Sequence, residues 1–222
     1  MPRPAARQRP TGPALLTVVV ALALTPAAAT AATVRVSTSG NDSTCTRDGS
    51  ACATLGQGVA IAAPGDVVAV GAGDFPVGAT DGAGVRITKP LDLRGAQYNV
   101  DARTRSGAET VLHPALGAGP YQGLLYVDTG AAGTSIRGFR IQGTAASGGL
   151  GGAGIYTEQS GTDGGYTISE NVLANNSIGL LLHASGSVVT TVARNAFLAN
   201  TLGADAGGAF GAERDPVAAR WV

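Results

Sequence analysis

ISENVLANNSIGL (168–180) and VARNAFLANTLGA (192–204) decide the architecture, because each position of the first has its counterpart 24 residues further on. Apolar meets apolar at 168/192, 173/197 and 178/202, Asn meets Asn at 171/195 and 176/200, and Gly meets Gly at 179/203. A looser copy opens at Ile136 (Ile136, Phe139, Ile141), 32 residues before Ile168, so about eight residues are inserted between these two copies. The Gly-rich run Ala145 to Gly152 is the natural place for them. A fixed period of this length marks a stack of like units. The run lacks a leucine-rich frame, and helical repeats are longer and poorer in Gly. Short β-branched segments joined by Asn and Gly bends fit parallel strands stacked about 4.8 Å apart. The expectation is an all-β fold, a parallel β-helix of roughly 24-residue coils. Leu173 then stacks on Phe197 and Ile178 on Leu202, while Asn171 and Asn195 form a structural ladder at a bend. Glu170 and Arg194, at matching outward positions, are expected to pair across coils for ~1 kcal/mol at most.

Working back from this repeat, one segment reads as helix. Thr54 and Gln57 have capping-box spacing, Leu55 and Val59 share a face, and Pro64-Gly65 stops the run. Gly56 and Gly58 each weaken it by roughly 1 kcal/mol against Ala. Cys45 and Cys52, the only cysteines, stand in a Thr/Asp/Gly/Ser-rich stretch and are expected to form a disulfide. At the start, Arg3, Arg7 and Arg9 precede an apolar run from Ala14 to Leu24 and the small-residue signature Ala29-Thr30-Ala31. This reads as a secretory signal peptide cut after Ala31 or Ala32; the apolar run is shorter than the ~20 residues of a membrane span. Without it, 12 basic residues face 15 acidic ones, a formal charge of −3, which does not favour a nucleic-acid partner. No later segment reads as a membrane span. The chain divides into 1–32 (signal peptide), 33–66 (strand, disulfide loop and capping helix), 67–208 (β-helix) and 209–222 (a tail of unassigned structure).

Val34-Arg-Val-Ser-Thr-Ser-Gly-Asn41-Asp42, the cysteine loop, Ala53-Thr54-Leu55 and Ala63-Pro64-Gly65-Asp66-Val67-Val68 resemble the opening of pectin-lyase-like β-helix proteins of bacterial surfaces. Gly73-Asp74-Phe75 and Ile87 to Gly95 continue the resemblance, which runs from about Val34 to Gly208. It implies a right-handed parallel β-helix whose open end is capped by the short helix, and a secreted or cell-surface protein. Enzymes of this fold mostly act on acidic polysaccharides.

No catalytic set, metal site or cofactor motif is recognisable: the carboxylates are isolated in sequence, with no Asp-Asp or Asp-x-Asp. His113 and His183 are 70 residues apart and read as turn or surface residues. Arg94, Arg137 and Arg140, on outward positions, are candidates for a basic stripe facing a uronate chain, and Asp92 and Asp128 are close in coil terms; solvated outward charges on a strand face are the favoured alternative. Tyr121, Tyr126, Tyr156 and Tyr166 are candidates for a sugar-stacking platform, Tyr126 and Tyr156 foremost, with coil-rim packing the favoured alternative. The expected function is non-catalytic binding of a polysaccharide or cell-surface glycan. The alternatives are a polysaccharide lyase or glycosidase with a site assembled across coils, and a structural surface module. The sequence sets no oligomeric state.

Overall fold

The computed structural model describes residues 30–149, 151–158, 163–184, 187–205 and 219–221. The signal-peptide reading falls almost wholly on residues outside these. The chain opens with β1 (Thr33–Val36), the Cys45–Cys52 disulfide loop and α1 (Leu55–Ile61). Five sets of three strands follow. The first two are β2 (Val67–Val70), β3 (Gly73–Val77), β4 (Ala83–Ile87) and β5 (Asp92–Arg94), β6 (Thr110–Pro114), β7 (Gly123–Val127). The next two are β8 (Ser135–Arg137), β9 (Phe139–Gln142), β10 (Ala153–Thr157) and β11 (Thr167–Ser169), β12 (Val172–Ala174), β13 (Ile178–Leu181). The last is β14 (Thr190–Ala193), β15 (Ala196–Leu198), β16 (Leu202–Asp205), after which β17 (Ala219–Trp221) adds one strand more.

Each set sends one strand to each of three parallel sheets. The first sheet runs β1-β2-β5-β8-β11-β14-β17, the second β3-β6-β9-β12-β15 and the third β4-β7-β10-β13-β16. The all-β, parallel part of the expectation holds, as do its pairings. Ile168 pairs with Val192, Leu173 with Phe197 and Ile178 with Leu202. Alternation turns one row of each sheet inward: Val34, Val68, Leu93, Ile136, Ile168 and Val192 in the first, all buried. Phe75, Leu112, Ile141 and Leu173 do the same in the second, and Val85, Leu125, Ile155 and Leu180 in the third. Each such burial stabilises by about 1.5–3 kcal/mol.

The 24-residue spacing describes only one circuit. Along the first sheet, partners are offset by 25 (Val67–Asp92), 43 (Asp92–Ser135), 32 (Ser135–Thr167) and 24 (Thr167–Thr191). Loops absorb the excess. Thr144 meets Asn176 at an offset of 32, yet Ala153 pairs with Ile178 at 25, which places seven of the eight inserted residues between Thr144 and Ala153.

Two bends bracket each short strand of the second sheet. Glu170, Asn175, Arg194 and Ala199 adopt left-handed backbone (φ 60, 53, 53 and 51°), matched one circuit earlier by Gly138 and Gly143. An asparagine follows each bend in the last two circuits and fastens it. Asn171 Nδ2 donates to Ile136 O (2.8 Å) and Asn195 Oδ1 (3.2 Å), while its Oδ1 accepts from Phe139 N–H. Asn176 and Asn200 repeat the device at the second bend.

α1 is capped as read: Thr54 Oγ1 accepts from Gln57 N–H at 3.2 Å. Asp42 completes the cap by accepting from Ala53 N–H, Thr54 N–H and the Thr54 hydroxyl. Burial pushes the Asp42 carboxyl up, but these hydrogen bonds outweigh it and hold the group below its ordinary range. Gly58, read as a weak point, is instead a contact requirement. A Cβ there would stand 2.6 Å from Val36 Cγ2, so only glycine lets the helix lie on Val34, Val36 and Val68.

Glu170 and Arg194 pair as expected, but Glu170 is not at the surface. Its side chain has no exposure and pairs with Arg194 and with the backbone N–H of Asn99 (2.7 Å). The cause is the loop 95–109, which lies over the second sheet: Ala102 N–H donates to Arg194 O, and Arg105 donates to Phe139 O and Glu170 O. Arg105 is itself buried and held by Glu109 at 2.7 Å. Arg194 itself is half exposed, so solvent screens its pair with Glu170, whose worth stays nearer the ~1 kcal/mol of a surface pair than that of a fully buried one.

Candidate functional site: the outer face of the first sheet

The outward residues of the first sheet form rows along the stacking direction. One row runs Arg35, Ala69, Arg94, Arg137, each a direct cross-strand partner of the next. At about 4.8 Å per strand the three guanidinium-bearing positions span roughly 14 Å. The adjacent outward row supplies Asp92, which accepts from Arg94 Nε (2.8 Å) and Nη2 (2.6 Å) and from Arg137 Nη2 (2.9 Å). Two arginines share this one carboxylate, and Arg137 Nε is buried without a hydrogen-bond partner. The hydrogen bond from Arg94 to Asp92 raises the Arg94 pKa, so its charge is permanent. Tyr98, 39% exposed, lies 5.1 Å from the Arg94 guanidinium and 6.0 Å from that of Arg137.

Arg35 is exposed, and no hydrogen bond or ion pair among the described residues engages its guanidinium. It borders a groove of about 590 Å³ with Ser37, Ala69, Arg94 and Tyr98, whose floor is low because Ala69 stands between the two arginines. Among the side chains described on this face, three guanidiniums stand against one carboxylate, a local formal charge of +2.

The five candidate ligand-facing residues fall on three different sheets. Arg94 and Arg137 are neighbours on the first. Arg140 lies on β9 in the second sheet, half-buried and donating to Gln142 Oε1 at 2.7 Å. Tyr126 and Tyr156 are cross-strand partners on the third, with ring centroids 4.8 Å apart. Asp92 and Asp128 also part company, since Asp128 pairs with Arg86 at 2.5 Å beside the third sheet.

The third sheet's outer face is closed. Tyr126 and Tyr156 keep 9% and 7% of their surface, Arg86 stacks over Tyr126 at 4.5 Å, and the Tyr126 hydroxyl donates to Glu158. Burial pushes the Tyr156 hydroxyl pKa up. His183 stands edge-on to Tyr156 at 5.5 Å, and its Nδ1 donates to Thr157 O at 2.6 Å. Tyr121 and Tyr166 are core residues at 2% and 1% exposure. His113 pairs with the exposed Asp74 at 3.0 Å.

The one grouping of metal-type ligands among the described residues is Asp42 with Cys45 and Cys52, whose sulfurs are tied to each other. No described helix is long and apolar enough to cross a membrane. Arg35 and Tyr98 escaped the sequence reading. The alternation Val34-Arg35-Val36 signals that Arg35 points outward, but only the register places it in line with Arg94. Tyr98 sits in an inter-strand loop with no periodicity to read. No family model, curated protein or solved structure matches this chain.

Proposed function

We propose that this chain is an exported right-handed parallel β-helix of the pectin-lyase-like kind, and that the outer face of its first sheet binds an acidic glycan without cleaving it. The observation that carries the binding reading is Arg35, exposed and unpaired across a groove from Arg94 and Tyr98. Guanidiniums match carboxylates with paired, charge-assisted hydrogen bonds, and a row of them suits a polymer that carries one carboxylate per sugar. An exposed tyrosine beside the row offers a face for a sugar ring. The ordered passage of the chain through three parallel sheets, with α1 packed against β1 and β4, supports the coil. The disulfide supports an oxidising, extracellular setting.

The test is binding of the secreted protein to a panel of acidic and neutral polysaccharides, with sugar release followed in parallel. Binding confined to uronate polymers, weakening with salt, and reduced about 10-fold or more in Arg35→Ala is expected, since a charged hydrogen bond contributes about 1.5–3 kcal/mol. Arg35→Ala should leave the melting temperature unchanged. Release of unsaturated or reducing sugars would replace this reading with a lyase or glycosidase. Binding indifferent to Arg35 would remove the groove from it.

A further inference from the structure

We infer that export leaves Ala32 as the first residue of the protein, and that its new α-ammonium forms an ion pair with Asp66 that the precursor lacks. The inference rests on the export reading above and adds the scissile bond and its consequence. The backbone nitrogen of Ala32 already donates to Asp66 Oδ1 at 2.9 Å. Ala32 is 6% exposed and Asp66 is fully buried. Asp66 also accepts from Ala63 N–H (2.8 Å) and from Arg47 through Nε (2.5 Å) and Nη2 (2.6 Å).

Two adjacent bonds fit the small-residue signature, and the structure separates them. The carbonyl of Ala32 accepts from Val67 N–H at 2.9 Å, which starts the first sheet one residue ahead of β1. A cut after Ala32 removes that bond together with the bond to Asp66. Ala31, by contrast, is exposed. Hydrolysis of the Ala31–Ala32 peptide adds water across it: Ala31 leaves with a carboxylate, and Ala32 gains an amine protonated below its ordinary pKa of about 8.

The neutral amide donor to Asp66 thereby becomes a cation, and hydrogen bonds of that type are roughly twice as strong. The charged groups around the site are Arg47, on the same carboxylate, and Asp48, which accepts from Thr33 N–H at 2.7 Å. For this pair to stabilise, the contact with Asp66 must outweigh burial and the repulsion of the Arg47 guanidinium on the same carboxylate, which puts the folded amine above its unfolded pKa. Its contribution is therefore full below about pH 8 and is lost as pH rises through the folded value.

The experiment expresses the full precursor in an exporting host and takes the intact mass of the secreted protein. Its unfolding equilibrium is then measured from pH 7 to 10, beside a chain released from a fusion partner to begin at Ala31. A mass starting at Ala32 is expected, with the unfolding constant rising about 10-fold more across that range than in the Ala31 form. A secreted protein starting at Thr33 or later overturns this inference and leaves export standing. Identical pH profiles overturn the ion pair. An unprocessed, retained chain overturns the export reading itself.

Discussion

A methyl group added at Gly56 meets nothing within 4 Å, whereas at Gly58 it would stand 2.6 Å from a Val36 methyl. Both glycines lower the intrinsic helix propensity of α1 alike, so sequence ranks them equally. Packing does not. Gly56→Ala is expected to stabilise the protein by about 0.5–1 kcal/mol in urea unfolding, because only backbone entropy changes. Gly58→Ala should cost about 1–3 kcal/mol by forcing the helix off the first sheet. Equal effects would show that α1 does not bear on Val36. Asp66 gives a second residue-scale expectation. Its hydrogen bond from Arg47, with those from Ala32 and Ala63, holds its pKa well below the usual carboxylate range. A depressed folded pKa means stability present above the unfolded value of about 4 and lost as pH falls below it. Asp66→Asn should lower stability at pH 7 and flatten this acid limb; an unchanged limb would assign acid sensitivity to other carboxylates.

Among the elements, the asparagine bends show what a period can and cannot reveal. Asn171 and Asn195 were legible because two consecutive circuits differ by no insertion, so identical residues recur at one spacing. The circuits before them carry loops of unequal length, and no single period reaches Arg35 or aligns it with Arg94. The cover over Glu170 was hidden for a related reason: Asn99 lies 71 residues away and belongs to an irregular loop. The ladder itself is testable by gradient. Asn171 is fully buried, and its loss leaves the Phe139 N–H unpaired and takes the side-chain bond away from Ile136 O, which stays in the ladder with β11. A buried N–H left unpaired costs about 1–3 kcal/mol, so Asn171→Ala should destabilise by about 2–3 kcal/mol. Asn195 holds Ile168 O (2.8 Å) and the Asn171 N–H (2.9 Å), but it is half-buried and water can replace part of what is lost, so Asn195→Ala should cost less. Denaturant titrations that ranked the two in reverse would deny that the bend depends on its buried amide.

For the molecule as a whole, stacked parallel strands create a problem that local sequence does not state: every sheet has a first and a last edge. Exposed edges template association with other chains. In the first sheet short segments take both edge positions, and a very short edge strand is one way to blunt an edge. Beside β1, Cys52 N–H donates to Arg35 O (2.8 Å) and Ser37 N–H to Cys52 O (2.9 Å), so the disulfide-bonded loop takes up part of the outer edge. At the other end the chain returns after β16, and Ala219, Arg220 and Trp221 pair with Thr190, Thr191 and Val192. The tail read as unassigned thus supplies a strand to the one sheet that runs beyond the fifth circuit. Deleting residues 219–222 removes that pairing and bares β14. The expected outcome is a loss of about 2–4 kcal/mol, from several ladder hydrogen bonds at about 1 kcal/mol each. Concentration-dependent self-association should accompany it in sedimentation velocity, and adding charge at the bared edge with Thr191→Lys in the shortened chain should suppress it. A shortened protein that stays monomeric at high concentration and keeps its stability would mean that the last strand guards nothing, and that β14 tolerates its own open edge.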